Sequence, residues 1–416
     1  MTRQTASPLR TGQEEQAAPA RKLLELPLSY IRFLAGMFIS RLGDSLFTFA
    51  IPWISYELTH SSIVMGSMYA VSVLPIVLFG PVAGSLVDRW DRKQLMIVTD
   101  ISRALLVALI PLLHTAGLLQ LWHLYAISFV LTILSLMFDV SVVAIIPQLV
   151  PAQLTRANAS YQLTGQIAEL TGPLLAGVII AWTGGFNTLW LDAVSFGGTL
   201  IVLMLMPGLG SPRPAAGMRS IFSDIGEGFK WLVRSKINLS FSFQAMIGNF
   251  GYSAAFGVLM FYLLNTLHLD TRQSSLNYTL LGFGGIIGSL LAVPLERRFR
   301  RGLLIPLLLG LGTAGFSFAA VSDFWLAPGI AFLAVTACNV AWNTIVTSVR
   351  QETIPQDMIG RVLGFSRVLT RLAMPVGAMT GAALSEWADP RAVFAVAAAA
   401  KLLEVIIALA TPIRKL

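Results

Sequence analysis

Charge is scarce in this sequence. Asp, Glu, Lys and Arg make up 12% of the 416 residues, hydrophobic residues make up 55%, and the mean hydropathy is +0.73. A soluble domain carries about 25% charged residues, roughly twice this share. The composition therefore argues against a large water-soluble protein and favours a chain that is solvated by lipid.

Cysteine and several catalytic motifs are also scarce or missing. Cys338 is the single cysteine, which excludes an internal disulfide framework and a cysteine-rich metal site. No lysine follows a glycine, so the phosphate-binding motif of ATP-driven pumps is missing. The patterns His-Glu-x-x-His and Gly-x-Ser-x-Gly, typical of hydrolases, are missing too. The sequence predicts no enzymatic activity, no bound metal and no cofactor.

Long apolar runs are what the sequence has in abundance. Each is long enough to cross the hydrocarbon core as a helix, and a helix satisfies its own backbone hydrogen bonds in lipid. The runs lie at about 31–56, 62–87, 95–115, 123–146, 158–182, 187–206, 238–264, 275–295, 302–321, 325–349, 362–386 and 391–412. We therefore predict an all-α membrane protein with twelve transmembrane helices and both termini on one side.

Positive charges between the runs predict the orientation. Lys and Arg exceed Asp and Glu by 29 to 21, and in a membrane protein such an excess marks the cytoplasmic loops rather than a nucleic-acid partner. Alternate loops on one side hold Arg89, Arg92, Lys93, Arg156, Arg213, Arg219, Lys230, Arg234, Lys236, Arg297, Arg298, Arg300, Arg301 and Arg361. The other side offers little beyond Arg272 and Arg391. We expect a multi-pass protein of the bacterial inner membrane with both termini in the cytoplasm.

The longest loop falls half-way along the chain. It opens with Pro207, Pro212 and Pro214, which break helices, and continues with apolar residues at helical spacing. This pattern predicts a linker with an amphipathic helix on the inner leaflet. The predicted organisation is a tail at 1–30, a six-helix bundle at 31–206, the linker at 207–237, a second six-helix bundle at 238–412 and a tail at 413–416.

A charged pattern recurs in the two halves. Asp88-Arg89-Trp90-Asp91-Arg92-Lys93 follows the second run, and Glu296-Arg297-Arg298-Phe299-Arg300-Arg301 follows the eighth. Both read acid, Arg, two spacers and two bases, and Glu296 follows Asp88 by 208 positions, half the chain. Two parallel six-helix repeats joined by a long loop are an architecture of secondary transporters.

The first copy, with Gly84 before it, resembles the signature that the major facilitator superfamily carries between its second and third helices. Asp91 stands where that signature usually has glycine. The resemblance implies two pseudo-symmetric six-helix bundles and a conformational latch, in which Asp88 faces the start of the eleventh helix. We extend the latch to nearby charges and expect it to comprise Gly84, Asp88, Arg89, Arg92, Lys93, Asp100, Arg103, Asp139, Glu296 and Arg297.

A motif in the fifth run resembles one branch of this superfamily more specifically. Gly172-Pro173-Leu174-Leu175-Ala176-Gly177 is similar to the Gly-Pro-x-x-Gly-Gly motif of drug/proton antiporters, with Ala176 in place of one glycine. Arg41-Leu42-Gly43-Asp44-Ser45 resembles the branch that holds macrolide-efflux proteins and the enterobactin exporter. The resemblance implies proton-coupled export, with Gly172, Pro173 and Gly177 as motif residues. Close packing of small residues between helices is the alternative explanation of the motif.

Two carboxyl groups are predicted near the middle of the membrane. An ionisable side chain there costs roughly 2.5–3.5 kcal/mol on insertion scales, so it faces partners or a water-filled path. A carboxyl group shielded from water takes up a proton more readily than one in water. Glu169, which has no Lys or Arg one turn away, and Asp44 are therefore the predicted proton-coupling residues. A local pair with Arg41 that only permits burial is the alternative role for Asp44.

Further polar residues inside the runs predict a substrate cavity. The expected lining residues are Arg41, Gln162, Gln166, Asn249, Asn339, Asn343 and Arg371. Gln162, Gln166 and Glu169 form one stripe on the fifth helix. Arg371 either neutralises an acid across the cavity or holds an anionic cargo. Asp192, near the outer end of the sixth run, is expected to be structural.

Together these patterns predict a secondary transporter that works by alternating access. The expected activity is proton-coupled export of amphiphilic small molecules such as drugs or macrolides, with the proton gradient as energy source. The expected partners are the lipid bilayer and a small amphiphilic substrate, with no nucleic acid, and the protein is expected to be monomeric. A siderophore exporter, a lysophospholipid flippase, a proton-independent facilitator and a receptor on a silenced transporter fold are the alternatives.

Overall fold

The computed structural model describes residues 26–87, 90–206, 218–356 and 358–416. This part of the chain is helical and contains no strand. Twelve of its helices are long and apolar enough to cross a membrane, which confirms the predicted fold class and the number of spans. The chain is therefore a multi-pass membrane protein.

Six of these helices form the N-terminal half. They are α1 (Leu28–Thr59), α2 (Ser62–Val87), α3 (Arg92–Thr115), α4 (Leu121–Leu149), α5 (Leu154–Thr183) and α6 (Gly185–Leu205). Proline lies inside five of them, α1 to α5, where neighbouring helices make the freed backbone groups tolerable. Gly184 joins α5 directly to α6 with φ of 85°, a backbone conformation that favours glycine.

A shorter helix, α7 (Met218–Arg234), follows in the predicted linker. The C-terminal half comprises α8 (Lys236–Gly257), α9 (Thr271–Arg298), α10 (Arg301–Val321), α11 (Ala327–Thr353), α12 (Ile359–Trp387) and α13 (Arg391–Ala410). A turn at Leu259–Phe261 and a π-helical turn at Tyr262–Thr266 extend α8. The predicted linker residues 207–217 and the side chains of 218–225 lie outside the described part.

The linker helix α7 packs on α12. Gly228 lies so close to the backbone carbonyl of Arg361 that a Cβ on it would come within 2.4 Å of that oxygen. Glu227 forms an ion pair with Arg361, and the rings of Phe229 and Phe365 lie 5.2 Å apart. The helix therefore joins the C-terminal half by specific contacts, while its expected contact with the inner leaflet stays a prediction.

The two halves meet through two helix pairs, α2 with α12 and α5 with α9. Small residues let the backbones approach closely. A Cβ on Gly66 would lie 2.4 Å from that of Ala382, and one on Gly282 would lie 2.7 Å from the Cα of Leu170. Larger side chains at these glycines would push the halves apart.

The apolar core is divided unequally between the two ends of the bundle. We call the end at which α6 stops and α8 starts the linker side, and the other end the opposite side. On the opposite side, one core joins both halves and includes Ile54, Phe49, Tyr262 and Phe394. On the linker side, each half has a core of its own. The halves thus share apolar packing on the opposite side and have separate apolar cores on the linker side.

Candidate transport site

A cavity of about 330 Å³ is lined by α1, α3, α4 and α5 of the N-terminal half and by α8 and α9 of the other half. Five ionisable residues that the sequence singled out line it together: Arg41, Asp44, Arg103, Asp139 and Glu169. Asp139 and Glu169 are exposed to this space. The structure therefore gathers three acids and two arginines from four helices around one cavity.

Arg103 is the centre of this cluster. Its guanidinium is buried, forms ion pairs with Asp100 on α3 and with Asp44 on α1 at 3.5 Å, and interacts electrostatically with Asp139. The rings of Phe138 on α4 and Phe196 on α6 each lie 4.5 Å from it. These cation–π and ionic contacts offset its desolvation and tie α1, α3, α4 and α6 together.

Asp44 and Arg41 do not form the local pair that was one alternative. Asp44 pairs with Arg103, whereas Arg41 lies over the ring of Tyr161 at 4.3 Å. Among the described residues, Arg41 has no ion pair within 4 Å. Asp44 therefore takes its charge partner from a different helix, and Arg41 stays available to the cavity.

The predicted latch is placed only in part. Asp88 and Arg89 lie outside the described residues, and Gly84 lies in the last turn of α2. Arg103 lies about 17 Å along α3 from the start of that helix, so it belongs to the cavity wall and not to the loop after α2. Asp100 is buried beside it and pairs with it. A latch role for these two stays a prediction.

The remaining loop residues make local contacts. Asp91, which replaces the usual glycine of the signature, accepts a hydrogen bond from the backbone N–H of Gln94 at 2.8 Å and so caps α3. Lys93 donates to the carbonyl of Met206 at the end of α6, and Arg92 donates to the carbonyl of Ala144 on α4 at 3.3 Å. These bonds hold the start of α3 to its neighbours.

The second copy of the charged pattern forms an ionic bridge. Arg301 binds Glu296 at 2.8 Å and Glu352 at 2.6 Å, which connects α9, α10 and α11 on the linker side. The sequence had grouped Glu296 with Arg297, but the structure pairs Glu296 with Arg301.

Two glycines of the α5 motif, Gly172 and Gly177, permit close helix packing. A Cβ on Gly172 would lie 2.1 Å from that of Ser45 on α1, and one on Gly177 would lie 2.2 Å from the hydroxyl of Ser275 on α9. Pro173 lines the 330 Å³ cavity. The glycines thus permit close contact both within the N-terminal half and across to the C-terminal half.

The polar stripe of α5 faces α9 and the cavity. The side-chain oxygen of Gln166 would lie 2.9 Å from a Cβ on Gly285 of α9, so this amide sits between the halves. Gln162, one turn nearer the linker side, is exposed, and Glu169 reaches the cavity.

Asp192 is a residue that sequence reasoning undervalued. It is 1% exposed, and neither carboxyl oxygen accepts a hydrogen bond from a described residue; the nearby Ser195 hydroxyl donates to the Asp192 backbone carbonyl instead. A Cβ on Gly43 would lie 2.5 Å from its Oδ1. Asp192 thus adds a buried acid to the Arg103 cluster. In the sequence, Asp192 stands out as a single acid inside an apolar run. Hydropathy alone could not predict that it lies near Asp44.

A second cavity, of about 430 Å³, continues from this cluster. Asp44, Arg103 and Asp192 line one side of it. The remainder is largely apolar and includes Phe47, Ile51, Met65, Met68, Val73, Val107 and Phe256. Such a wall suits the apolar body of an amphiphile.

The C-terminal half has its own cavity, of about 780 Å³. It gathers four of the predicted substrate residues, namely Asn249, Asn339, Asn343 and Arg371. Asn249 donates to the backbone carbonyl of Thr370 at 3.0 Å, so its amide is partly used in packing α8 against α12.

Two charged residues of this cavity were not singled out in the sequence. Lys401 and Glu404, one turn apart on α13, form an ion pair at 2.9 Å with each side chain 3% exposed. Lys401 also donates to Asn339 at 2.8 Å. The two charges of this pair neutralise each other. In the sequence, the pair was indicated by two ionisable residues inside the last apolar run.

Three guanidinium groups complete the wall. Arg350 on α11 donates to the hydroxyls of Ser242 and Ser366 at 3.2 and 3.1 Å. Arg367 and Arg371 lie one turn apart on α12, and in the described part of the chain no carboxylate comes within 4 Å of any of the three arginines. This half therefore presents excess positive charge to its cavity.

Comparison with known proteins agrees with this geometry. Residues 33–378 match the Major Facilitator Superfamily. The chain belongs to this superfamily. Membership makes it a membrane transporter and not an enzyme.

Its relatives include named efflux proteins at low identity. The multidrug efflux pump Tap of Mycolicibacterium fortuitum is 24% identical over 88% of this chain and 91% of its own. Macrolide efflux protein A of Streptococcus pyogenes is 23% identical over 86% of this chain and 90% of its own. The resemblance to this branch that the sequence motifs indicated is thus confirmed.

The fold has solved relatives as well. A bacterial homologue of the iron transporter ferroportin, in its inward-facing state, superposes with a TM-score of 0.69 and 18% identity, covering 92% of this chain and 98% of the other. At this identity the likeness establishes the shared fold.

Proposed function

We propose that this transporter exports small amphiphilic molecules from the bacterial cytoplasm in exchange for protons. The linker side is then cytoplasmic, which the concentration of Lys and Arg in its loops supports. The named activities of the two efflux relatives support export as the direction.

The arrangement of the halves fits the loading step of such a cycle. Because the halves share an apolar core on the opposite side and have separate cores on the linker side, they are less closely joined on the side of the proposed cytoplasm. An exporter takes up cargo in this state. Rocking of one half against the other around the central site then exposes the cargo to the outside.

The carboxyl cluster around Arg103 is the observation that carries the proton-coupling part of the proposal. Asp44, Asp100, Asp139 and Asp192 outnumber the two guanidinium groups of Arg41 and Arg103. Asp100 and Asp192 are buried with Arg103, whereas Asp44 and Asp139 face the cavity. Four carboxylates held close to two guanidinium groups repel one another, so the cluster is suited to hold protons.

Protonation would act on the ion pairs that join the helices. When Asp44 takes up a proton, its ionic contact with Arg103 weakens, and the link between α1 and α3 loosens. Deprotonation restores the contact. Glu169, which reaches the same cavity from α5, is the favoured proton carrier, and Asp44 is the second candidate.

Gradient-driven uptake into everted membrane vesicles tests the proposal. Vesicles from an efflux-deficient host would be energised and offered ethidium, erythromycin, tetracycline and a catechol siderophore in turn. We expect accumulation of at least one probe above that of vesicles without the protein, and loss of this accumulation on adding an uncoupler. Accumulation that the uncoupler does not change would contradict proton coupling and favour a facilitator or a flippase.

A further inference from the structure

The C-terminal cavity carries positive charge without a matching acid. Lys401 is balanced by Glu404, but Arg350, Arg367 and Arg371 have no described carboxylate within 4 Å. Each charge placed in a membrane domain costs free energy unless it has a partner. We infer that these three arginines bind an anionic group of the transported molecule.

The depth of the arginines fits a path into the cavity. Arg367 lies about 12 Å and Arg371 about 18 Å along α12 from its start at Ile359, at 1.5 Å per residue. Arg350 lies near the linker-side end of α11. The guanidinium groups therefore extend from the mouth of the cavity to near its middle, so an anion entering from the linker side meets them in succession.

Snorkelling to the cytoplasm does not account for all three. Arg350 is half-buried, and its guanidinium is held inside the bundle by the hydroxyls of Ser242 and Ser366. It is an oriented donor whose remaining N–H groups are available to a ligand. Arg371 lies deep on the same wall. Guanidinium groups bind carboxylates, phosphates and sulfonates through paired hydrogen bonds, which a solvated lysine does less well.

Neutralisation by an acid of the other half does not account for them either. Asp44 pairs with Arg103, and Glu169 and Asp139 have Arg41 as a nearby cation. Each ion pair in which both partners are described lies within the N-terminal half or within the linker and C-terminal half. Of the two roles that the sequence left open for Arg371, the inference adopts the binding of an anionic cargo.

An apolar surface continues from the arginines towards the N-terminal half. Tyr252 lines the C-terminal cavity, and Phe256, one turn further along α8, lines both N-terminal cavities. Their rings stack at 5.8 Å with an interplanar angle of 11°. A molecule with an anionic head at Arg371 would lay its apolar body along these rings. The inferred cargo class is thus an amphiphilic organic anion.

This inference rests on the proposed transport function, but its test does not require a proton gradient. The full-length protein in lipid nanodiscs would be titrated with decyl phosphate, decanesulfonate and decyltrimethylammonium, with empty nanodiscs as blank. Hydrogen bonds to charged groups contribute about 1.5–3 kcal/mol, or about tenfold or more in affinity. We expect at least one anion to bind about tenfold more tightly than the cation.

Matched variants assign the binding to the arginines. Arg371→Gln and Arg367→Gln should each weaken anion binding about tenfold and leave the cation unaffected, and Arg371→Lys should retain part of the affinity. Arg272→Gln, on the opposite side, is the control and should change nothing. If Arg371→Gln does not fold, Arg367→Gln tests the same inference, because Arg367 lies one turn closer to the start of α12.

Equal binding of anions and cation, or anion binding that the arginine variants do not alter, would overturn the inference. Gradient-driven export of decyltrimethylammonium without any anion preference would overturn it too and would leave the proposed function standing. Anion binding that depends on the arginines, without gradient-driven transport of any probe, would support the inference and count against proton coupling.

Discussion

The two halves of the transporter share a helical plan but carry opposite charge in their cavities. In the N-terminal half, four aspartates surround Arg103 and Arg41. In the C-terminal half, three arginines line a cavity whose single acid, Glu404, is already paired. The two halves therefore repeat the same fold, but the residues that line their cavities differ in charge.

This difference indicates a division of labour. An excess of buried acids is balanced by protons, and an excess of arginines is balanced by an anionic ligand. If the halves rock as rigid units, proton binding in one and cargo binding in the other can both bias the same movement. Neither ligand needs to touch the other for their transport to be coupled.

The largest expected effect is on uphill transport. Glu169→Gln removes the acid that reaches the cavity from α5 and leaves the shape of the side chain nearly unchanged. We expect gradient-driven accumulation in everted vesicles to fall to background, at normal expression. Glu227→Gln, on the linker helix, is the matched control and should retain transport. Unchanged transport by Glu169→Gln would remove it as proton carrier.

A second large effect is expected on stability when Arg103 is replaced. Arg103→Gln leaves Asp44 and Asp100 without their ion-pair partner, and loss of the buried Asp100 pair alone costs about 3–5 kcal/mol. The thermal unfolding temperature in detergent should fall strongly. The double variant Asp100→Asn with Arg103→Gln should recover part of the loss, because it removes a buried charge as well. A single variant as stable as the wild type would contradict the central role of Arg103.

Variants of the Lys401–Glu404 pair test whether proton handling is confined to the N-terminal half. Glu404→Gln alone leaves a buried ammonium group without its acid and should destabilise the protein by about 3 kcal/mol. Lys401→Met together with Glu404→Leu removes both charges and should be nearly neutral, with proton-driven transport retained. Loss of proton coupling in a stable double variant would show that the C-terminal half also handles protons.

The smallest effect is expected on the linker-side surface. Glu352 is 56% exposed and binds Arg301, which Glu296 also contacts. Glu352→Ala should lower the free energy of unfolding by at most about 1 kcal/mol, because water and salt screen an exposed pair. Thermal unfolding at low and high salt measures this, and the difference from wild type should shrink at high salt. A larger, salt-independent loss would assign the pair a structural role.

The helices and their number could be predicted from the sequence because long apolar runs have few solutions in lipid. The family could be predicted too, since the acid-Arg pattern recurs at half the chain length. These predictions depend on local composition and on spacing, which a sequence displays directly.

Charge partners could not be predicted in the same way. The sequence indicated Arg41 as a possible ion-pair partner of Asp44 because the two residues are three positions apart. In the structure, Asp44 pairs with Arg103 from α3 instead. The position of Asp192 against Gly43, beside the Asp44 cluster, was not predicted either. Hydropathy gives approximate depth, whereas partners depend on how several helices pack and rotate.

The central claim is that protons are handled in the N-terminal half and an anionic cargo group in the C-terminal half. The most direct test compares Asp44→Asn with Arg371→Gln in identical proteoliposomes, measuring decyl phosphate binding and its gradient-driven transport. We predict that Asp44→Asn loses transport but retains binding within about twofold, since the sites are separate, whereas Arg371→Gln loses binding. Loss of both properties together in Asp44→Asn, or retained binding in Arg371→Gln, would contradict the division between the halves.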